Sequence, residues 1–248
     1  MYQAFAELYD ELMNDVDYES WADHYTRLLS IYNIHGGKIC ECACGTGSLT
    51  LPLYRRGFQM TGVDVSQEML WQAAQKSRKQ GIAIPYIKQD MRALNLHKPM
   101  DAVLATCDGV NYLLTEEELL SFFRAASRSI RSGGALIFDV STPHKLRDIL
   151  CNGLFGEDRE TITYLWQNTW HEKRRTVELD LTFFVRDDDG RYHRIDERQH
   201  QRAWEQQELK ETLWHAGFRA VSIYADFGIN AAGDDNQRWH IAAIRGDE

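Results

Sequence analysis

The sequence predicts an α/β protein: a seven-stranded, mostly parallel sheet with helices on both faces, an antiparallel final strand, and a small inserted antiparallel β-sheet. Three observations carry this. Over residues 38–140, short apolar runs alternate with helical segments, the pattern of a parallel sheet covered on both sides. After about residue 155 the runs become long and rich in β-branched and aromatic residues, with no helix between them. The chain then closes with one more helix and two strands.

In order along the chain, residues 2–13 and 18–31 carry apolar side chains at helical spacing. Phe5, Leu8, Tyr9 and Leu12 share one face of the first, and Trp21, Tyr25, Leu28 and Leu29 one face of the second. Gly36-Gly37 ends this helical segment. Strands are expected at 38–43, 58–63, 83–89, 101–106 and 135–140. Helices are expected at 48–56, stopped by Gly57, at 67–79, capped by Ser66 and stopped by Gly81, and at 116–130, capped by Thr115. Residues 161–170, 175–186 and 192–204 read as the inserted sheet, with Asp187-Asp188-Asp189-Gly190 as a hairpin turn. A helix over 205–215, stopped by Gly217, and strands at 219–224 and 238–245 complete the chain.

The chain has 248 residues, enough for one large α/β domain. We read it as a single domain over 1–248, with a helical N-terminal cap over 1–36 and an insertion over 155–204 that covers a substrate or forms a dimer contact. No apolar run approaches the ~20 residues needed to span a bilayer. The acidic, amphipathic start lacks the basic and apolar regions of a signal peptide, so a cytoplasmic protein without membrane association is expected. The five cysteines are an odd number in a chain without a secretion signal, which argues for free thiols. Cys40, Cys42 and Cys44 do not have the C-x-x-C spacing of zinc or redox motifs, and no metal site is expected. A net charge of −9 disfavours general nucleic-acid binding, and Lys173, Arg174 and Arg175 read as solvated turn charges.

The chemistry concentrates at Glu41-Cys42-Ala43-Cys44-Gly45-Thr46-Gly47. A strand turning sharply into a helix needs residues tolerant of unusual backbone angles, and Gly45 and Gly47 also let a ligand approach the main chain. The following helix start offers free N–H groups to an anionic group such as a carboxylate. Asp64 follows the second strand, where an acid can accept hydrogen bonds from both hydroxyls of a ribose. These features fit either a nicotinamide dinucleotide or S-adenosylmethionine. Thr50 stands where the dinucleotide fingerprint wants a third glycine. Glu41 supplies an acid that favours a cationic sulfonium and ammonium ligand and that a dinucleotide does not need.

With these residues in place, E-x-x-x-G-x-G, Asp64 and Gln89-Asp90-Met91 after the third strand resemble the class I, Rossmann-like, S-adenosylmethionine-dependent methyltransferases. The terminal HAGFRAVSIYADF and RWHIAAIR segments resemble their closing helix and strand pair, and the N-terminal segment resembles a bacterial branch of small methyltransferases of unassigned substrate. The resemblance implies the cofactor S-adenosyl-L-methionine. It puts Gly45 and Gly47 at the methionine end, Glu41 near its positive charge, and Asp64 on the ribose. Asp90 would meet the adenine amino group, with Met91 beside the ring and Val65 and Met69 as apolar walls. Cys107 and Asp108 end the fourth strand, where the family places methyl group and acceptor; Tyr9 or Tyr2 would cap the methionine end.

No catalytic residue is assigned. Cys107, Asp108 and His200 are the candidates, and His144, His171 and His193 could also reach the acceptor side; Glu197 lies beside His200. Thr106-Cys107-Asp108-Gly109 replaces the N/D-P-P-[FY] tetrapeptide of some amino-group methyltransferases, which weakens a DNA-adenine or glutamine-methylating reading. The expected function is methyl transfer to a small-molecule acceptor, by a monomer or homodimer. The alternatives are an NAD(P)-binding oxidoreductase and a nonenzymatic S-adenosylmethionine-binding module.

Overall fold

The structure is a computed structural model describing residues 2–246. Helix α1 (Tyr2–Leu12) and helix α2 (Tyr18–Ile31) precede the sheet, α2 starting where the Asp17 carboxylate accepts the Ser20 N–H. The alternating region then forms β1 (Gly37–Cys42), α3 (Thr50–Arg55), β2 (Phe58–Asp64), α4 (Gln67–Lys79), β3 (Tyr86–Lys88), β4 (Met100–Ala105), α5 (Glu116–Ser129) and β5 (Ile130–Ser141). Four strands follow, β6 (Leu154–Asp158), β7 (Ile162–His171), β8 (Thr176–Arg186) and β9 (Tyr192–Arg202). The chain closes with α6 (Gln206–His215), β10 (Phe218–Ala225) and β11 (Arg238–Arg245).

The main sheet has seven strands in the order β10-β11-β5-β4-β1-β2-β3. Only β11 runs antiparallel to its neighbours, β5 and β10. The order reverses between β1 and β4, and the carboxyl ends of such strands are where ligands bind. Both faces are buried. Leu136, Phe138 and Val140 of β5 pack toward α5 and α6, while Ala135 and Ile137 pack toward α2 and α3. Cys40 and Cys42 lie inside this layer, and all five cysteines are free thiols. The helix caps expected at Ser66 and Thr115 form, the latter as a capping box closed by Glu118.

Three elements differ from expectation. Strand β3 spans three residues, not seven, because it is an edge strand paired only with β2 and Pro85 has no N–H to extend the ladder. Strand β5 begins at Ile130, before the glycine pair, with a register irregularity against β4 between Met100 and Ala102. The insertion has a fourth strand, β6, all of whose residues are exposed, so no apolar alternation announced it. It pairs along β7, and the separate antiparallel sheet runs β6-β7-β8-β9.

Candidate active site

Four positions around the β1–α3 and β4 turns adopt left-handed backbone: Ala43, Gly45, Gly47 and, after β4, Cys107, which is followed by a fifth, Asp108. Gly47 is required sterically, since a Cβ there would lie 2.7 Å from the Tyr86 hydroxyl and 3.1 Å from the Ala73 Cβ. Gly45 is different. A Cβ there would meet nothing within 4 Å, so open space lies above this part of the loop.

Glu41 is buried at the end of β1. Its carboxylate accepts hydrogen bonds from Thr50 Oγ1 at 2.5 Å and Thr106 Oγ1 at 2.8 Å. Thr50, the residue in the third-glycine position, thus holds the acid ahead of the loop. Burial pushes the Glu41 carboxyl up to about 7, against these two hydrogen bonds. A carboxyl raised by folding contributes stability that is complete below its unfolded value, near 4.3, and is lost as pH rises through 7. Glu41→Gln should therefore abolish a decline in unfolding free energy of up to about 4 kcal/mol between pH 4 and pH 8. Denaturant titration of both proteins across that range checks this.

Asp64 accepts the N–H of Gly45 on one carboxylate oxygen and the N–H of Ser66 on the other, each at 2.9 Å. Burial raises its carboxyl above the ordinary value, against these backbone bonds. Each oxygen keeps a lone pair for a further donor. Beside it Val65 is 58% exposed, an apolar side chain left uncovered. Asp90 accepts the Arg92 N–H and is ion-paired with the Arg92 side chain, whose hydrogen bonds hold its carboxyl below the usual range. It thus acts as a cap for the turn Met91–Ala93 as well as standing at the expected strand end. Met91 packs against the core, and Met69 is buried among Ala6, Ile162 and Phe183, between α4, α1 and the inserted sheet.

Helix α1 lies over the loop. Asp10 accepts hydrogen bonds from Thr46 Oγ1 at 2.6 Å and Ser48 Oγ at 3.1 Å and is ion-paired with Lys76 of α4 at 2.6 Å. Tyr9, from the same helix, lines a cavity of about 360 Å³ at the carboxyl ends of β4 and β5. The side chain of Tyr2 lies outside the described residues.

The cavity floor is built by a charged cluster. Asp139 of β5 is fully buried and accepts the Tyr25 hydroxyl at 2.6 Å, the Cys107 N–H at 2.8 Å and the Asp108 N–H at 3.1 Å. These bonds hold two successive non-glycine residues in left-handed conformation, a strained turn of the kind kept at functional sites. Arg238 of β11 ion-pairs with both Asp108 and Asp139, and Ser141 Oγ donates to Asp108 at 2.9 Å. Burial opposes ionisation of Asp108, but the charges of Arg238 and Lys145 outweigh it and hold its carboxyl low. Burial pushes the Cys107 thiol up, helped by the charge of Asp139, so it lines the cavity as a neutral wall.

The inserted sheet forms the opposite wall. Leu179, Leu181 and Phe183 of β8, Tyr164 and Trp166 of β7 and Gln199 and Gln201 of β9 face the cavity. Strand alternation then turns His200 away from it: its Nε2 lies 2.9 Å from Glu178 on the opposite face. His144 and His193 pair with Asp148 and Asp187, and neither they nor His171 line the cavity. Glu197 shares the inward row of β9, is buried, and is raised by that burial. The structure therefore brings together Tyr9, Glu41, Gly45, Gly47, Asp64, Cys107 and Asp108, and does not bring His200 to them. Sequence reasoning missed Asp139, Ser141, Lys145 and Arg238; an acid inside the apolar run of β5 was the available signal for the first.

The arrangement suits S-adenosylmethionine on three counts: free space over Gly45, an Asp64 carboxylate with unused lone pairs, and an uncovered apolar side chain at Val65. Among the described residues, no helix is long and apolar enough to cross a membrane.

A profile of the family described as "Methyltransferase domain" matches residues 39–134. A Geobacillus sp. protein is 37% identical over 243 residues, covering 98% of each chain. YqeM of Bacillus subtilis is 35% identical over 229 residues, covering 92% of this chain and 90% of that one. Both carry the name "Putative methyltransferase". The crystal structure of an S-adenosylmethionine-dependent methyltransferase from Clostridium acetobutylicum superposes with a TM-score of 0.88 at 30% identity, covering 99% of both chains. With this sheet order, this loop and these relatives, the chain belongs to the class I S-adenosylmethionine-dependent methyltransferases.

Proposed function

We propose that the protein methylates a small-molecule acceptor bound in the cavity beyond β4 and β5. The observation that carries this is the cavity itself: about 360 Å³, mostly apolar, walled by α1 and the inserted sheet, and floored by the turn after β4. That size suits a small ligand rather than a polymer. S-adenosylmethionine, when bound, supplies a methyl group on a sulfonium leaving group.

The chain's own residues then bind, orient and exclude water. Gly45 and Gly47 let the main chain approach the methionine end, and Glu41 favours positive charge there. Asp64 holds the ribose hydroxyls. Asp90 and Met91 meet the adenine edge, between Val65 and Met69. Tyr9 and Cys107 border the space where donor and acceptor meet, and the Tyr164–Phe183 wall keeps water out. In-line alignment in a dry cavity supplies most of the rate, and an amine acceptor that is already neutral needs no base.

The test is turnover with methyl-labelled S-adenosylmethionine and a broad panel of small amines, phenols, carboxylates and thiols, with products read by mass spectrometry. Labelled product from at least one class supports the reading. Cofactor binding with no transfer to any acceptor would favour a nonenzymatic binding module.

A further inference from the structure

Three charged side chains line the cavity: Asp108, Arg238 and Lys145. Two are committed to each other, since Arg238 bridges Asp108 and Asp139, and Asp108 also accepts from Ser141. Lys145 is the exception. Its ammonium has no hydrogen-bond or ion-pair partner among the described residues.

Its placement is built into the backbone. The chain leaves β5 into a single wide turn of π-helix, His144–Ile149, anchored where the Lys145 N–H donates to Thr142 Oγ1 at 3.1 Å. π-helical backbone is rare and recurs at functional sites. The helix's other charges are spent outside: His144 and Arg147 both pair with Asp148. Leu146 is buried against the inserted sheet. Lys145 alone turns to the cavity, half-buried, and burial lowers its pKa against the attraction of Asp108.

A cation in a mostly apolar cavity is costly unless an anion joins it. Asp108 and Asp139 attract Lys145 and Arg238 repels it, but none of the three is hydrogen-bonded or ion-paired with its ammonium; Gln199, Gln201 and Ser141 line the same cavity and are neutral. We propose that Lys145 is a specificity-determining residue that receives a carboxylate of the acceptor, whose remaining surface is apolar or aromatic. A carboxylate is favoured over a phosphate monoester because Asp108 and Asp139 already offset the charges of Arg238 and Lys145, so one added negative charge is held more easily than the about −1.5 to −2 of a phosphate. This assignment rests on the cavity being the acceptor site.

The test uses the whole protein saturated with S-adenosylhomocysteine and calorimetric titration with three matched probes: 3-phenylpropanoate, 3-phenylpropanamide and 2-phenylethylphosphonate. The carboxylate should bind at least tenfold more tightly than the amide. Lys145→Met should erase that preference, and Lys145→Arg should keep it. Equal binding of carboxylate and amide, no binding of the carboxylate, or tighter binding of the phosphonate overturns the proposal. An equal loss for both probes in Lys145→Met also overturns it, and assigns Lys145 to balancing the Asp108–Asp139 charges. S-adenosylmethionine titrated into wild type and Lys145→Met serves as the control. If it binds both, a failed carboxylate preference counts against Lys145 alone; if it binds neither, the methyltransferase reading fails first.

Discussion

Replacing Arg238 by methionine should lower the unfolding free energy by about 3–5 kcal/mol near neutral pH, the cost of leaving a buried ionic partner uncompensated. Asp139 is fully buried and Asp108 partly buried, and Arg238 is the cation that both contact. Burial already raises the Asp139 carboxyl, with Arg238 opposing the rise and Asp108 adding to it. Without Arg238 both carboxyls would be raised in the folded state. The deficit should therefore be greatest near pH 7 and shrink toward pH 4, where both groups take up protons. Adding Asp139→Asn to Arg238→Met should restore part of the loss. Denaturant unfolding of the three proteins at two pH values measures this. A deficit below about 1 kcal/mol, or one that grows in acid, contradicts the assignment of Arg238 as the keystone of the cavity floor.

Asp64→Ala should weaken S-adenosylmethionine binding by about 1.5–3 kcal/mol, roughly 10- to 150-fold, through loss of charge-assisted hydrogen bonds. The structure sharpens the reason. The same carboxylate accepts the Gly45 N–H, so it shapes the glycine loop in addition to its proposed contact with the ribose. Asp64→Asn keeps one acceptor oxygen and should lose less. Calorimetric titration of the folded variants decides the matter; unchanged affinity in Asp64→Ala refutes the ribose role.

The glycine loop, Asp64 and the sheet were legible because their signals are short-ranged. A strand, two glycines and a helix start must be adjacent in sequence to cradle a cofactor. The cavity floor was not legible, since Tyr25, Asp108, Asp139 and Arg238 come from four distant segments that only the sheet order assembles. His200 looked plausible because the inward row of β9 is Glu197, Gln199 and Gln201, so no apolar alternation marked which face was inside. On β8 the alternation of Leu179, Leu181 and Phe183 with Glu178, Asp180 and Thr182 did mark it. Lys145 carries no sequence signal at all, because a single π-turn has no repeat to read.

The site takes S-adenosylmethionine and not a dinucleotide. Calorimetric titration of the wild-type protein with S-adenosylmethionine and, separately, with NAD tests it most directly. Saturable binding of S-adenosylmethionine is expected, with none of NAD at the same concentrations. Binding of NAD without binding of S-adenosylmethionine would contradict it.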